Sequence, residues 1–208
     1  LKLFLVYLLY FYYKNIYYES GCDEAGRGCL AGPVVAAAVI LDPERPIYGL
    51  NDSKLLKSKE REALRHTIEE NALAWAVVSI DSTVIDQINI LQASLQAMKE
   101  AVLRLAIPPV LVLVDGPIRI PELSFEQIPV IKGDQKYQSI AAASILAKTY
   151  RDDYMNRLHE EFPYYDWNHN KGYPTKKHRA AIAERGTTPY HRMTFNLLGG
   201  GQLELPFL

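Results

Sequence analysis

The 208 residues carry 23 Lys and Arg against 24 Asp and Glu, a formal net charge of -1, so no global basic field announces a nucleic-acid partner. A composition 49% apolar and 23% charged excludes a disordered or fibrous chain, and the length suits one core with room for a terminal appendage. Two cysteines, Cys22 and Cys29, are too few for a disulfide framework and match no zinc spacing, which favours a reducing cytoplasm.

Residues 1–13 are apolar or aromatic except for Lys2, and Lys14 closes the run. A membrane span needs about 20 apolar residues and a secretory signal ends in small ones, so residues 1–15 form an atypical N-terminal segment with no stable membrane association expected. Residues 16–22 then read as a strand and residues 32–41 as a second, with a Gly-rich turn between them. A loop with Pro43, Pro46 and Gly49 leads to a helix over residues 58–71 and a strand over residues 75–80. Ile88, Leu91, Leu95, Met98, Val102 and Leu105 recur at spacings of three and four, the stripe of one helix that Pro108 and Pro109 stop. Residues 110–114 are wholly apolar, as in a strand covered on both faces, and residues 128–131 give a shorter strand. Ile140, Ala143, Ala147, Tyr150, Tyr154 and Leu158 form the stripe of a long helix ending before Pro163. The last helix runs over residues 175–185, with Thr175 as N-cap and Gly186 as C-cap. The pattern is α/β: a hairpin-led mixed sheet flanked by helices, with a helical C-terminal part.

Asp23 and Glu24 stand immediately after the first strand, Asp115 follows the apolar run 110–114, and Asp134 lies just past the strand over residues 128–131. Ligands of open α/β sheets gather where strands end, so these acids can meet although they are far apart in the chain. Grouped carboxylates repel one another unless a cation replaces their lost hydration. Oxygen donors without a His or Cys pattern favour Mg²⁺ or Mn²⁺ over Zn²⁺, and two such ions activate water and stabilise the leaving oxygen of a phosphodiester. Taken singly, each acid reads equally as a cap or an Asx turn.

The longer context is more specific. Gly21-Cys22-Asp23-Glu24-Ala25-Gly26-Arg27-Gly28-Cys29-Leu30-Ala31-Gly32-Pro33-Val34 resembles the opening of bacterial ribonuclease HII. The resemblance continues in order through Leu50-Asn51-Asp52-Ser53-Lys54-Leu55, Val114-Asp115-Gly116, Lys132-Gly133-Asp134, residues 139–148, Arg151-Asp152 and Gly172-Tyr173-Pro174-Thr175, covering residues 16–198. It implies a ribonuclease H-like fold and an endonuclease that cuts the RNA strand of RNA/DNA hybrids and 5′ of single ribonucleotides in duplex DNA, leaving 3′-hydroxyl and 5′-phosphate ends. By the same resemblance, Asp23, Glu24, Asp115 and Asp134 are the catalytic metal-site acids, for Mn²⁺ or Mg²⁺. The N-terminal aromatic stretch departs from the family pattern.

In Gly26-Arg27-Gly28 the glycines let backbone approach a sugar, and the resemblance assigns this tripeptide and Tyr173 to recognition of the ribose 2′-hydroxyl. Asn51, Ser53, Lys54, Ser144 and Lys148 offer donors for phosphate oxygens, the last two at i, i+4 on one helix. Lys171, Lys176, Lys177, His178, Arg179, Arg185, His191 and Arg192 give the C-terminal part a local basic excess, which a solvated helix face explains equally. No general base is assigned to His178 or His191, because metal-activated water requires none. The tail Gln202-Leu203-Glu204-Leu205-Pro206-Phe207, inside a flexible segment 199–208, resembles the peptides that dock bacterial repair proteins on the sliding clamp, although a frayed apolar end accounts for it as well. The expectation is a cytoplasmic monomer. A ribonuclease H-like resolvase or transposase, or a non-catalytic nucleic-acid binding domain, are the competing readings.

Overall fold

The computed structural model describes residues 9–15 and 17–199. Five strands form one sheet in the order β3-β2-β1-β4-β5. They are β1 (Glu19–Ala25), β2 (Val34–Ile40), β3 (Ala74–Ile80), β4 (Leu111–Asp115) and β5 (Glu126–Val130). The first three pair antiparallel, as successive hairpin-like returns permit, while β4 runs parallel to β1 and β5 parallel to β4. The first strand begins later than residue 16 and runs on through Ala25, because β2 pairs with it along that whole length.

The helices are α1 (Ser58–Asn71), α2 (Ser82–Ile88), α3 (Ile90–Leu103), α4 (Gln138–Glu161), α5 (Trp167–Asn170) and α6 (Lys176–Arg185). The bounds of α1 match the sequence reading, and Thr175 caps α6 by accepting from His178 N. One expectation fails at Asn89. Its backbone turns left-handed at φ 65° and its Oδ1 accepts from the N–H groups of Leu91 and Gln92, so it caps α3 and leaves Ile88 in the separate helix α2. An unbroken apolar stripe conceals such a break because the period resumes in phase.

Both sheet faces are covered. Cys22, Ala36, Ala38, Val112 and Val114 pack with Leu95, Met98 and Val102 of α3 on one side. On the other, Ala37 and Val39 meet Ala141, Ala142, Ile145 and Leu146 of α4. The helix comes so near that a Cβ on Gly21 would fall 2.3 Å from Ile140 N, which is why β1 has glycine there. A separate cluster of Leu30, Met155, Leu158, Tyr165, Trp167 and Ile182 joins the C-terminal helices to the turn after β1. Within residues 9–15, Leu9 is buried and Tyr10 N donates to Lys136 O, so this part packs on the start of α4; residues 1–8 lie outside the described residues. No helix among the described residues is long and apolar enough to cross a membrane.

Candidate active site

Side chains alternate along a strand, and Gly21, which faces α4, fixes the face that Asp23 shares. In the parallel register Cys22 lies opposite Val114, so Asp23 and Asp115 stand side by side at the carboxyl ends of β1 and β4. Asp23 and Glu24 lie inside β1, paired with Ala37 and Ala36, and not beyond its end. Asp115 is the last residue of β4, and its Oδ1 accepts from Gly133 N at 2.7 Å. That bond folds the short 3₁₀ turn Gly133–Gln135 over the strand end and brings Asp134 to the group.

The carboxylates are buried or half-buried beside one another. Asp23 is 6% exposed, and burial, then the nearby Glu24 and Asp115, push its carboxyl well above the ordinary range. Burial also raises Glu24, against the opposing pull of Arg27, whose Nη1 donates to Oε1 at 3.2 Å. Burial, then Asp52 and Asp115, raise Asp134; its Oδ2 has Lys54 Nζ at 3.8 Å. The second Glu24 oxygen, Oε2, is buried with no hydrogen-bond partner. Among the described residues, no three acidic, His or Cys side chains close around a single point, so the carboxylates border an open cleft. An orphaned carboxylate oxygen beside like charges fits a hard, oxygen-preferring cation in that cleft.

The cleft holds about 230 Å³. Asp23, Glu24 and Asp115 line it together with Gly26, Arg27, Gly28 and Tyr173, and Ser53, Lys54, Ser144 and Lys148 complete it. Ser53 Oγ and Ser144 Oγ are 3.0 Å apart, and Lys148 Nζ donates to Asp152 Oδ1 at 2.7 Å. Two expected residues are not among those lining it. Asn51 is exposed, its Oδ1 accepting from Asp52 N, and Asp134 is buried, its Oδ2 3.8 Å from Lys54 Nζ of the lining. The two glycines of Gly26-Arg27-Gly28 differ in cause. At Gly26, φ is 98° and a Cβ would fall 2.0 Å from Arg151 Nε, so glycine is required from behind the loop, whereas Gly28 has open space on its Cβ side.

A family model described as "Ribonuclease HII" matches residues 20–198. A Bacteroides thetaiotaomicron protein named "Ribonuclease HII" is 66% identical over 189 residues, 91% of this chain and 94% of its own length. The chain belongs to the ribonuclease HII family. It is therefore an endonuclease of RNA/DNA hybrids. Its fold resembles the RNase HII of the Archaeoglobus fulgidus PCNA:RNase HII complex at TM-score 0.73 and 28% identity, over 91% of this chain and 98% of that one. It also resembles Bst-RNase HIII, solved in complex with Mn²⁺, at TM-score 0.70 and 19% identity, over 86% of this chain and 67% of that one, a likeness of fold. The mixed five-stranded sheet with flanking helices is thus ribonuclease H-like.

Sequence reasoning put Arg192, with His178 and His191, in a basic excess facing nucleic acid or solvent and named Arg151 only within a family motif; all four are buried, and the two arginines hold this ribonuclease HII cleft from behind. Arg151 is fully buried and donates to the carbonyls of Pro33, Ala31 and Lys171; Arg192, equally buried, donates to Gly32 and Arg27. Neither arginine has an ion-pair partner among the described residues, and burial lowers the pKa of Arg192 to about 10. A signal existed, since Arg151 interrupts an otherwise apolar helix face. Buried Asp52 was also missed; its Oδ2 accepts from Gln135 Nε2 at 3.1 Å.

Proposed function

We infer that this ribonuclease HII cuts 5′ of a ribonucleotide paired in duplex, leaving 3′-hydroxyl and 5′-phosphate ends, with Asp23, Glu24, Asp115 and Asp134 holding divalent ions. The observation that supports the reading is the lining of one cleft by two chemistries: the carboxylates of Asp23, Glu24 and Asp115, and the Gly26-Arg27-Gly28 loop with Tyr173. A bound pair of Mg²⁺ or Mn²⁺ ions would supply water activation and neutralise the leaving oxygen. The remaining work belongs to the chain. The carboxylates orient the ions; the open side of Gly28 admits a ribose, whose 2′-hydroxyl meets backbone groups; and the Tyr173 ring packs on the sugar. Lys54, Ser53, Ser144, Lys148 and the exposed Asn51 engage flanking phosphates, which position the duplex without reading sequence.

The catalytic domain spans residues 16–198 and works as a monomer in the cytoplasm. Residues 199–208 form a tail whose 202–207 stretch is a clamp ligand; it falls outside the described residues, and the PCNA complex of the Archaeoglobus fulgidus neighbour supports that partner. The test is a duplex with one ribonucleotide, incubated with protein and Mg²⁺ or Mn²⁺. A cut on its 5′ side is expected, and an intact duplex with folded, metal-supplied protein overturns the reading.

A further inference from the structure

Tyr173 projects from a loop in which the carbonyls of three successive residues, Lys171 to Tyr173, are taken. Lys171 and Gly172 both have positive φ, 49° and 83°, and a Cβ on Gly172 would fall 2.5 Å from Ala31 O. Lys171 O accepts from Arg151, Gly172 O from Leu30 N at 2.8 Å, and Tyr173 O from Thr175 N at 2.8 Å. Tyr173 O has a second partner, His178 Nδ1 at 3.0 Å. His178 is fully buried and His191 is 2% exposed, and neither has a place in the metal chemistry.

Their protonation can be read from the groups at each end of the pair. A backbone N–H only donates, and Thr188 N points at His191 Nδ1 at 2.9 Å, so the proton of His191 is on Nε2. An indole N–H also only donates, and Trp167 Nε1 points at His178 Nε2 at 3.0 Å, so the proton of His178 is on Nδ1 and goes to Tyr173 O. His191 Nε2–H then faces His178 Nε2 at the longer distance of 3.3 Å, sharing its one lone pair with the Trp167 indole N–H. Two neutral imidazoles thus run one direction of donation from Thr188 to the Tyr173 carbonyl. The alternative tautomer of either ring would set N–H against N–H in a site without water-accessible relief.

We propose that His178 and His191 are positioning residues for Tyr173: the pair fixes the carbonyl of Tyr173, and through it the ring that meets the substrate sugar. This rests on the reading that Tyr173 contacts the ribonucleotide. The substrate touches neither histidine, so the loss on breaking the pair falls on kcat and spares the phosphate-dominated binding.

Two measurements test it on the full chain. Histidine ¹⁵N NMR should find His178 as the Nδ1–H tautomer and His191 as the Nε2–H tautomer near neutral pH; His178 carrying its proton on Nε2 overturns the proposal. In cleavage of the single-ribonucleotide duplex with Mg²⁺, His178→Leu should lower kcat roughly 10- to 100-fold, the range for a misplaced contact group, with KM changed by less than about threefold. His178→Asn, which keeps a donor where Nδ1 stood, should recover most of that loss. Combined with Tyr173→Ala, His178→Leu should add nothing further, since both act through one ring. Should His178→Leu fail to fold, His191→Leu against His191→Gln gives the same contrast, the glutamine amide replacing the Nε2 donor. Multiplying losses in the double variant overturn the proposal alone, whereas wild-type cleavage by Tyr173→Ala overturns the Tyr173 reading and the proposal with it.

Discussion

The two walls behind and before the cleft solve the burial of polar groups in opposite ways. The front wall gathers Asp23, Glu24 and Asp115; burial, then neighbouring carboxylates, raises the proton affinity of Asp23, burial raises that of Glu24, and Glu24 Oε2 is left unpaired. The back wall buries Arg151, Arg192, His178 and His191, and each of these has hydrogen-bond partners, mostly backbone carbonyls. An incomplete polar group invites a ligand; a complete one holds shape. On the proposed reading, the difference separates the part of the molecule that reacts from the part that aligns.

Removing charge from the front wall should have the largest effect. Asp23→Asn should lower cleavage by about 10³-fold while duplex binding is retained, the several kcal/mol of transition-state stabilisation that metal ligation supplies. Its thermal midpoint should equal or exceed that of the wild type, because a repelling charge is gone. Equal cleavage by mutant and wild type removes Asp23 from the mechanism.

On the back wall the outcome reverses. Arg192→Met strands the carbonyls of Gly32 and Arg27 and should cost about 3 kcal/mol in urea denaturation. An unchanged midpoint would show those bonds to be replaceable by water.

The walls also differ in the sign of their response to pH. Burial, then the neighbouring His178, lowers His191 to about 4 from an ordinary 6.5. A depressed pKa contributes stability that is present above the unfolded value and lost as pH falls toward the folded one, so about 2 kcal/mol should vanish between pH 7 and pH 5. The raised carboxyls of Asp23, Glu24 and Asp134 act oppositely, their destabilisation easing as they protonate. Comparing wild type with His191→Gln isolates the histidine contribution: the mutant's urea midpoint should fall less between those pH values, and parallel losses would refute the assignment. The smallest effect comes from metal. Millimolar Mg²⁺ should stabilise the wild type by about 1.4 kcal/mol at tenfold excess over its dissociation constant, and Asp23→Asn by less; equal thermal shifts would place the ion elsewhere.

How much of this could be read from residues alone follows the same division. Strand and helix periods located nearly every element, and α1 was read to its ends, because apolar repetition is a local signal. Asn89 was missed since its cap interrupts no stripe. Of the proposed site, Asp23, Glu24 and Asp115 stood at strand ends and were visible as acids in an apolar context. Arg151 and Arg192 were not, since their partners are backbone carbonyls of distant loops, groups that every residue possesses and no motif records. Asn51 was read as a phosphate donor, and that its Oδ1 also closes a local turn with Asp52 N is a contact its residue type alone does not reveal.

The parallel seam between β1 and β4 has a consequence for when the protein can act. The hairpin of β1 and β2 is made by neighbours in the chain, but Asp115 and Asp134 arrive only after three helices have intervened. A nascent polypeptide still on the ribosome before that point carries two of the four proposed metal-binding acids and lacks β4, the strand that sets Asp115 beside them. If these acids hold the ions as proposed, nuclease capacity waits until β4 and the turn after β5 have been made.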